Sequence, residues 1–334
     1  MGWTINDFEI DREELKKILH TNKDINKEID IKRAINQIDY FIRELKSDGT
    51  KSDLHRDENT ETVSTIVKVF SYKEYYPVIE NFINIANESG YDFTYIKDIE
   101  YGDNIDESSI HMLVHDFYNS CGDKISNIFS NIEKDKEKII NYDLKSEDAG
   151  GVIYHIPMIN KNYISLNVTD KKYKNVLNYL THEYGHSIGF SINDKKRDSL
   201  YQEIESQFFE ILGAFYYYET TKDAYYIRYL DNMLNYYVKV SKEVIDLKTS
   251  VYDNIKSNSI EKINEEAKSI DIDVDMIYLY GFLCAIELFE LYMNNSEDAI
   301  NKLELLINND FDGIIISNDN ILNFINRIKH VNND

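Results

Sequence analysis

Two histidines and a glutamate within one short run carry the chemistry of this sequence. Thr181-His182-Glu183-Tyr184-Gly185-His186 contains the pattern H-E-x-x-H inside a stretch with helical periodicity. Residues i and i+4 of a helix lie one turn apart on the same face, so both imidazoles can reach a single zinc ion. Glu183 stands beside them, where its carboxylate can take a proton from water held by that ion. Leu177, Leu180, Tyr184 and Ile188 form a stripe roughly opposite the histidines, suited to pack the helix while the ligands face a cleft. Zinc used for hydrolysis takes three protein ligands and leaves a position for water. The next helical stretch offers Glu203, Glu205 and Glu210. Glu203, Ser206 and Glu210 share a face, so Glu203 is the economical third ligand and Glu210 a carboxylate that orients a ligand imidazole from behind. Glu205 points about 200° away, toward solvent.

The other histidines are weaker candidates. His111 and His115 form a second i, i+4 pair, but no acidic residue stands between them and the pattern around them is that of an ordinary amphipathic helix. They read as solvated or core-edge histidines. His155 lies in a β-rich run close before the zinc helix, where it could line a cleft or sit on an exposed face.

The elements that must position these groups are mostly helical. From about Asp11 to Leu45, isoleucines and leucines recur at threes and fours, most steadily from Ile31 to Leu45. The polar run Lys46 to Thr60 reads as an exposed loop. Further helical stretches run from about Glu61 to Ala86, interrupted or kinked at Pro77, and from about Ser108 to Lys134. The texture changes at Asp148. Ala149-Gly150-Gly151-Val152-Ile153-Tyr154-His155-Ile156 and Tyr163-Ile164-Ser165-Leu166-Asn167-Val168 read as two strands joined by a polar turn at Asn160-Lys161-Asn162. Helices resume near Lys172 and continue to the C-terminus. The fold class is mainly α (α+β), with a small sheet beside the zinc helix. Residues 1–100 form a helical N-terminal region and 101–334 the catalytic part.

Composition excludes several partners. The 334 residues carry 60 acidic and 37 basic side chains, a net charge of −23, and a field of that sign repels nucleic-acid backbones and anionic lipid. No stretch approaches the ~20 apolar residues of a membrane span. Two prolines and 12 glycines are too few for the turns of a sandwich or barrel. Cys121 and Cys284 stand far apart and outside any C-x-x-C spacing, and the N-terminus lacks the basic-then-apolar layout of a signal peptide. A reducing, cytoplasmic setting is expected.

Three blocks together resemble the zinc oligopeptidases of the thimet oligopeptidase and oligoendopeptidase F type. Ala149 to Tyr154 is similar to the family's glycine-bearing edge strand, and Leu180 to Ser187 to its H-E-[FLY]-G-H core. Glu203-Ile204-Glu205-Ser206-Gln207-Phe208-Phe209-Glu210 is similar to its E-x-x-S-x-x-x-E helix. A softer block, Tyr278 to Tyr292, is similar to the tyrosine-then-glycine helix late in such proteins. The resemblance covers roughly residues 105 to 295. It implies a helical zincin-type metallopeptidase with one zinc ion held by His182, His186 and Glu203, and with Glu183 as general base. It further implies that Tyr278, or Tyr280 if the register shifts, donates a hydrogen bond to the oxyanion. Two departures stand out. Family members are usually much longer, and no histidine lies between His186 and His330, where the family usually has one.

The expected activity is hydrolysis of short, unstructured peptides. The substrate would lie extended along Gly150, Gly151, Val152, Tyr154 and His155 and pair with the strand through its backbone. The alternative is a zinc-containing protein that binds peptides without cutting them. Glu183 argues against it, because a purely structural site needs no general base.

Overall fold

The computed structural model describes residues 2–46, 58–91, 93–94, 105–142, 150–166, 173–193, 202–257, 271–308 and 315–333. Residues 47–57, Ala149, Asn167 and Val168, which figure in the sequence reading above, lie outside them. The chain divides into two compact units. One comprises Met1–Asp53 and Asp103–Lys196, the other Leu54–Gly102 and Arg197–Asp334. The class is mainly α, as expected, with one small sheet.

The first unit opens with helices α1 (Ile5–Thr21) and α2 (Ile25–Lys46). The expected stripe from Asp11 to Leu45 is therefore two helices. Side chains break it: Asn22 bonds to the backbone of Asp24 in both directions, and Asp24 accepts from the Asn26 amide at 3.0 Å. Such local bonds offer the backbone an alternative to the helix. Helices α5 (Glu107–Ser120) and α6 (Asp123–Glu133) replace the single stretch expected from Ser108 to Lys134. The break falls at Gly122, whose φ of +94° suits glycine and few other residues. A short turn of helix, α7 (Lys136–Ile139), leads into the sheet.

Among the described residues that sheet has three strands in the order β1-β3-β2. Strand β2 (Gly151–Ile156) and strand β3 (Lys161–Leu166) form the expected antiparallel pair, with Tyr154 opposite Tyr163. Their connection is a single 3-10 turn, Pro157–Ile159, closed by Asn160 in the left-handed region. Lys161 and Asn162, expected in the turn, belong to β3. The third strand, β1 (Ile140–Asn141), runs parallel to β3 and is too short to leave a pattern in sequence.

Alternation along β2 sends its side chains to two different places. Val152, Tyr154 and Ile156 join Trp3, Phe8, Phe41 and Ile38 in a core under α1 and α2. Trp3 Nε1 donates to the Ile164 carbonyl at 2.9 Å, and buried Asp11 accepts from Tyr163 Oη at 2.6 Å and Lys161 Nζ at 2.9 Å. Each fully buried large apolar side chain contributes roughly 1.5–3 kcal/mol to this join. Gly151, Ile153 and His155 face the other way, toward helix α8 (Tyr173–Ile192). Helix α8 also packs on α5 and α6, where Tyr118 Oη donates to the Thr181 carbonyl at 2.5 Å.

The second unit is wholly helical among the described residues. It contains α3 (Glu58–Ser71), α4 (Tyr76–Glu88), α9 (Ile204–Thr221), α10 (Tyr225–Lys256), α11 (Ile272–Asn294), α12 (Ser296–Ile307) and α13 (Asn318–Asn333). Pro77 sits in the first turn of α4, where its missing N–H costs nothing, and the interruption falls just before it at residues 72–75. Helix α11 is the centre, packed by α3, α9, α10, α12 and α13. Every residue from Leu279 to Glu290 is buried, the pattern of a helix enclosed on all sides. Its two buried carboxylates are satisfied. Glu290 takes both prongs of Arg327 at 2.9 and 3.1 Å, and Glu287 accepts from the Ser317 amide and from Asn320 Nδ2. No described helix is long and apolar enough to cross a membrane.

Candidate metal centre

On α8 the spacing does what it predicts. The rings of His182 and His186 stand 4.9 Å apart, centroid to centroid, at 83°. Leu177, Leu180, Tyr184 and Ile188 are all buried, so the packing stripe is real. Glu183, only 5% exposed, is held against β2. A Cβ added at Gly151 would lie 2.6 Å from Glu183 Oε1, so glycine at this strand position makes room for the carboxylate. A side chain at Gly150 would collide with the ring of Tyr179. Both glycines therefore matter for what α8 places above them.

The remaining β2 residues named from sequence have distinct surroundings. Val152 is half-buried against the α1–α2 core, and Tyr154 lies inside that core, edge-on to Phe41 at 4.8 Å. His155 is buried, which removes the exposed-face alternative. Its Nδ1 bonds Asn162 Oδ1 at 2.6 Å, and its ring stacks flat on Phe190 at 4.0 Å and 1°. Phe190 in turn lies 6.3 Å from His186, so an aromatic ladder buttresses the second histidine. His111 and His115 are held by protein groups instead, Tyr142 Oη at 2.8 Å and Glu133 at 2.6 Å respectively. Burial holds the His111 imidazole below the usual histidine range.

In the second unit, Glu203 stands at the position immediately before α9. Ser206 Oγ donates to its backbone carbonyl at 3.1 Å and to its Oε2 at 3.3 Å. Glu210 is buried and accepts from Tyr229 Oη. Glu205 corrects the sequence reading: it is 1% exposed, not solvated, because α9 is buried on every side from Ile204 to Ala214. A helical wheel separates faces, but it cannot tell which faces a neighbour covers.

The two candidate tyrosines of α11 differ. Tyr278 is 39% exposed. Tyr280 is buried, edge-on to Tyr75 at 4.9 Å, and bonded to the Cys284 thiol, whose own pKa burial pushes up. Three further residues of this region matter through contacts between helices. Tyr237 of α10 stacks on Phe282 at 4.3 Å, and burial followed by the charges of Glu210 and Glu203 pushes its phenol well above the ordinary range. Gln207 Nε2 donates to the Tyr278 carbonyl at 3.0 Å, while its Oε1 is buried with no donor among the described residues. An acceptor left unpaired in this way costs about 1–3 kcal/mol. Gly281 is a notch: a Cβ there would stand 2.9 Å from Glu203 Cβ and 3.3 Å from the Glu203 carbonyl carbon.

Among the described residues, one group could hold a metal ion. His182, His186 and Glu203 each offer a ligand atom, and the three atoms lie within 4.8 Å of one another. Two imidazole nitrogens and one carboxylate oxygen are the donor set of a zinc site that keeps a position open for chemistry. The residues present therefore fit such an ion.

No protein-family model and no curated protein matches this sequence. Solved structures do match in fold. A provisionally assigned peptidase from Chlamydophila abortus is 16% identical, with a TM-score of 0.50, over 97% of this chain and 63% of that one. A provisionally assigned oligoendopeptidase F from Bacillus anthracis str. Ames is 15% identical, with a TM-score of 0.47, over 98% of this chain and 65% of that one. A second provisionally assigned oligoendopeptidase F gives 13% and 0.49, over 98% and 66%. This chain thus spans just under two thirds of the length of these proteins. At such identities the likeness concerns the fold, which the Chlamydophila abortus structure shares, and leaves the chemistry to the site.

Proposed function

We propose that this chain is a zinc-dependent metallopeptidase that hydrolyses short, unstructured peptides. The grouping of His182, His186 and Glu203, with Glu183 held at the glycine of an edge strand, is the observation that carries the reading. The Chlamydophila abortus structure, provisionally assigned as a peptidase, supports it through a shared fold. A zinc ion held by these three residues supplies Lewis acidity to a peptide carbonyl and to water. Glu183 takes the proton from the attacking water and hands it to the leaving amine. Among the described residues β2 is an edge strand, and its outer edge adds the substrate backbone as a further strand, with Gly150 and Gly151 allowing close approach. Tyr154, whose ring is in the core, and His155, whose ring is stacked on Phe190, would meet the substrate through their backbone. Tyr278, the more exposed of the two tyrosines, donates to the oxyanion, and Glu210 orients a ligand imidazole.

The test is hydrolysis of a peptide library by wild type and by Glu183→Gln, with zinc measured in both. Loss of about a thousandfold in kcat with zinc retained is expected, within the range of general acid–base contributions. Bound zinc without hydrolysis of any library peptide by wild type would replace this reading with a peptide-binding role.

A further inference from the structure

We propose that Gln207 is a positioning residue that sets Tyr278 and Glu203 in fixed register with each other. The inference rests on the peptidase reading above and names a residue that the zinc motif does not contain. Gln207 lies one turn after Glu203, and its backbone amide donates to the Glu203 carbonyl at 3.1 Å, an early hydrogen bond of α9. Its side chain is fully buried and reaches across to α11, where Nε2 donates to the carbonyl of Tyr278 at 3.0 Å. A helical carbonyl has two lone pairs, so it can serve the helix and Gln207 together. Gly281, three residues after Tyr278, supplies the space: a Cβ there would stand 2.9 Å from Glu203 Cβ and 3.4 Å from Gln207 Nε2. The turn from Tyr278 to Gly281 is thereby seated on the turn from Glu203 to Gln207. One joint carries both the proposed third metal ligand and the proposed oxyanion donor.

Gln207 is an expensive residue for this place. Its Oε1 is buried without a donor among the described residues, a cost that a methionine of similar length would avoid. The unmatched acceptor is what the donor half costs, and the donor half locks the joint.

The deciding variant is Gln207→Met, which keeps length and burial but removes the donor. Three quantities are read: Tm, zinc affinity by chelator competition, and kcat with KM for a cleaved peptide. The expected result is a Tm equal to or above wild type, zinc bound about tenfold more weakly, and kcat down about tenfold with KM little changed. Gln207→Glu, which lacks the donor at neutral pH, should weaken zinc binding similarly. Unchanged zinc affinity and kcat in Gln207→Met would overturn the proposal. So would a fall in Tm that accounts for losses in both, since that marks a merely structural residue. If wild type binds zinc but cleaves no peptide, the peptidase reading fails alone, and the zinc affinity of Gln207→Met still decides. If wild type binds no zinc, both fall.

Discussion

On α8, two imidazoles and the carboxylate next to the first sit within five consecutive residues, and the helical repeat alone puts the rings on one face. On α9, Glu203 stands at a helix start, and its place depends on residues far away in sequence: Gly281 beneath its Cβ, and Gln207 tied to Tyr278 of α11. Both regions use a glycine to admit a glutamate, yet the two glycines meet different atoms. Gly151 faces the carboxylate end of Glu183, which can swing aside. Gly281 faces the Cβ and backbone of Glu203, which cannot. A local motif is tolerant of its surroundings, whereas a proposed ligand placed by packing inherits every constraint of the core.

The sharpest way to break this contrast is to add a methyl group at each glycine. Gly281→Ala should cost the most. Overpacking against backbone runs to about 1–3 kcal/mol, and the better helix propensity of alanine returns up to about 1. A net loss of about 1–2 kcal/mol is expected in denaturant unfolding, with weaker zinc binding although no ligand has been removed. Equal stability and equal zinc affinity would show that Glu203 does not depend on the notch.

Gly151→Ala should do the reverse. The displaced group is the far end of a flexible side chain, so stability should stay within about 0.5 kcal/mol of wild type. Because that end is the proposed base, kcat should fall about tenfold while zinc is retained. A large loss of stability with kcat preserved would erase the distinction between the two glycines.

The smallest effect concerns the first turns of α11. Burial, and then repulsion from Asp271 and Glu243, raises Asp275 to about 6. The folded state therefore holds this proton more tightly than the unfolded chain, so the contribution is present at low pH and is lost as pH rises from about 4 to about 6. Asp275→Asn should raise Tm slightly at pH 7, and the gain should vanish near pH 4. If the variant is less stable at pH 7, the carboxylate has a favourable role there, and this end of α11 is held by charge rather than by packing.

Much of the fold was legible because short-range rules made it so. The strand pair before α8 follows from β-rich runs around a polar turn, and the buried stripe of Leu177, Leu180, Tyr184 and Ile188 from spacing. Helix breaks were harder. Residues 22–24 and Gly122 end helices through side-chain bonds and one backbone angle, signals that a hydrophobic stripe passes over. Strand β1 exists only because β3 is there to pair with it.

The same division runs through the site. The proposed ligand pair His182 and His186, and the proposed base beside them, are placed on one turn by the sequence, because one helical turn is a property of any helix. Glu203 was nameable from its face, but whether Glu205 met water or protein was not, since exposure belongs to the neighbours and not to the helix. Gln207, Gly281 and Tyr237 gain their places only in the tertiary structure. Gln207 and its partner Tyr278 lie 71 residues apart, and no local pattern encodes a contact across that separation. What the chain determines by itself is chemistry that fits inside a single turn; the distances between turns are decided by packing.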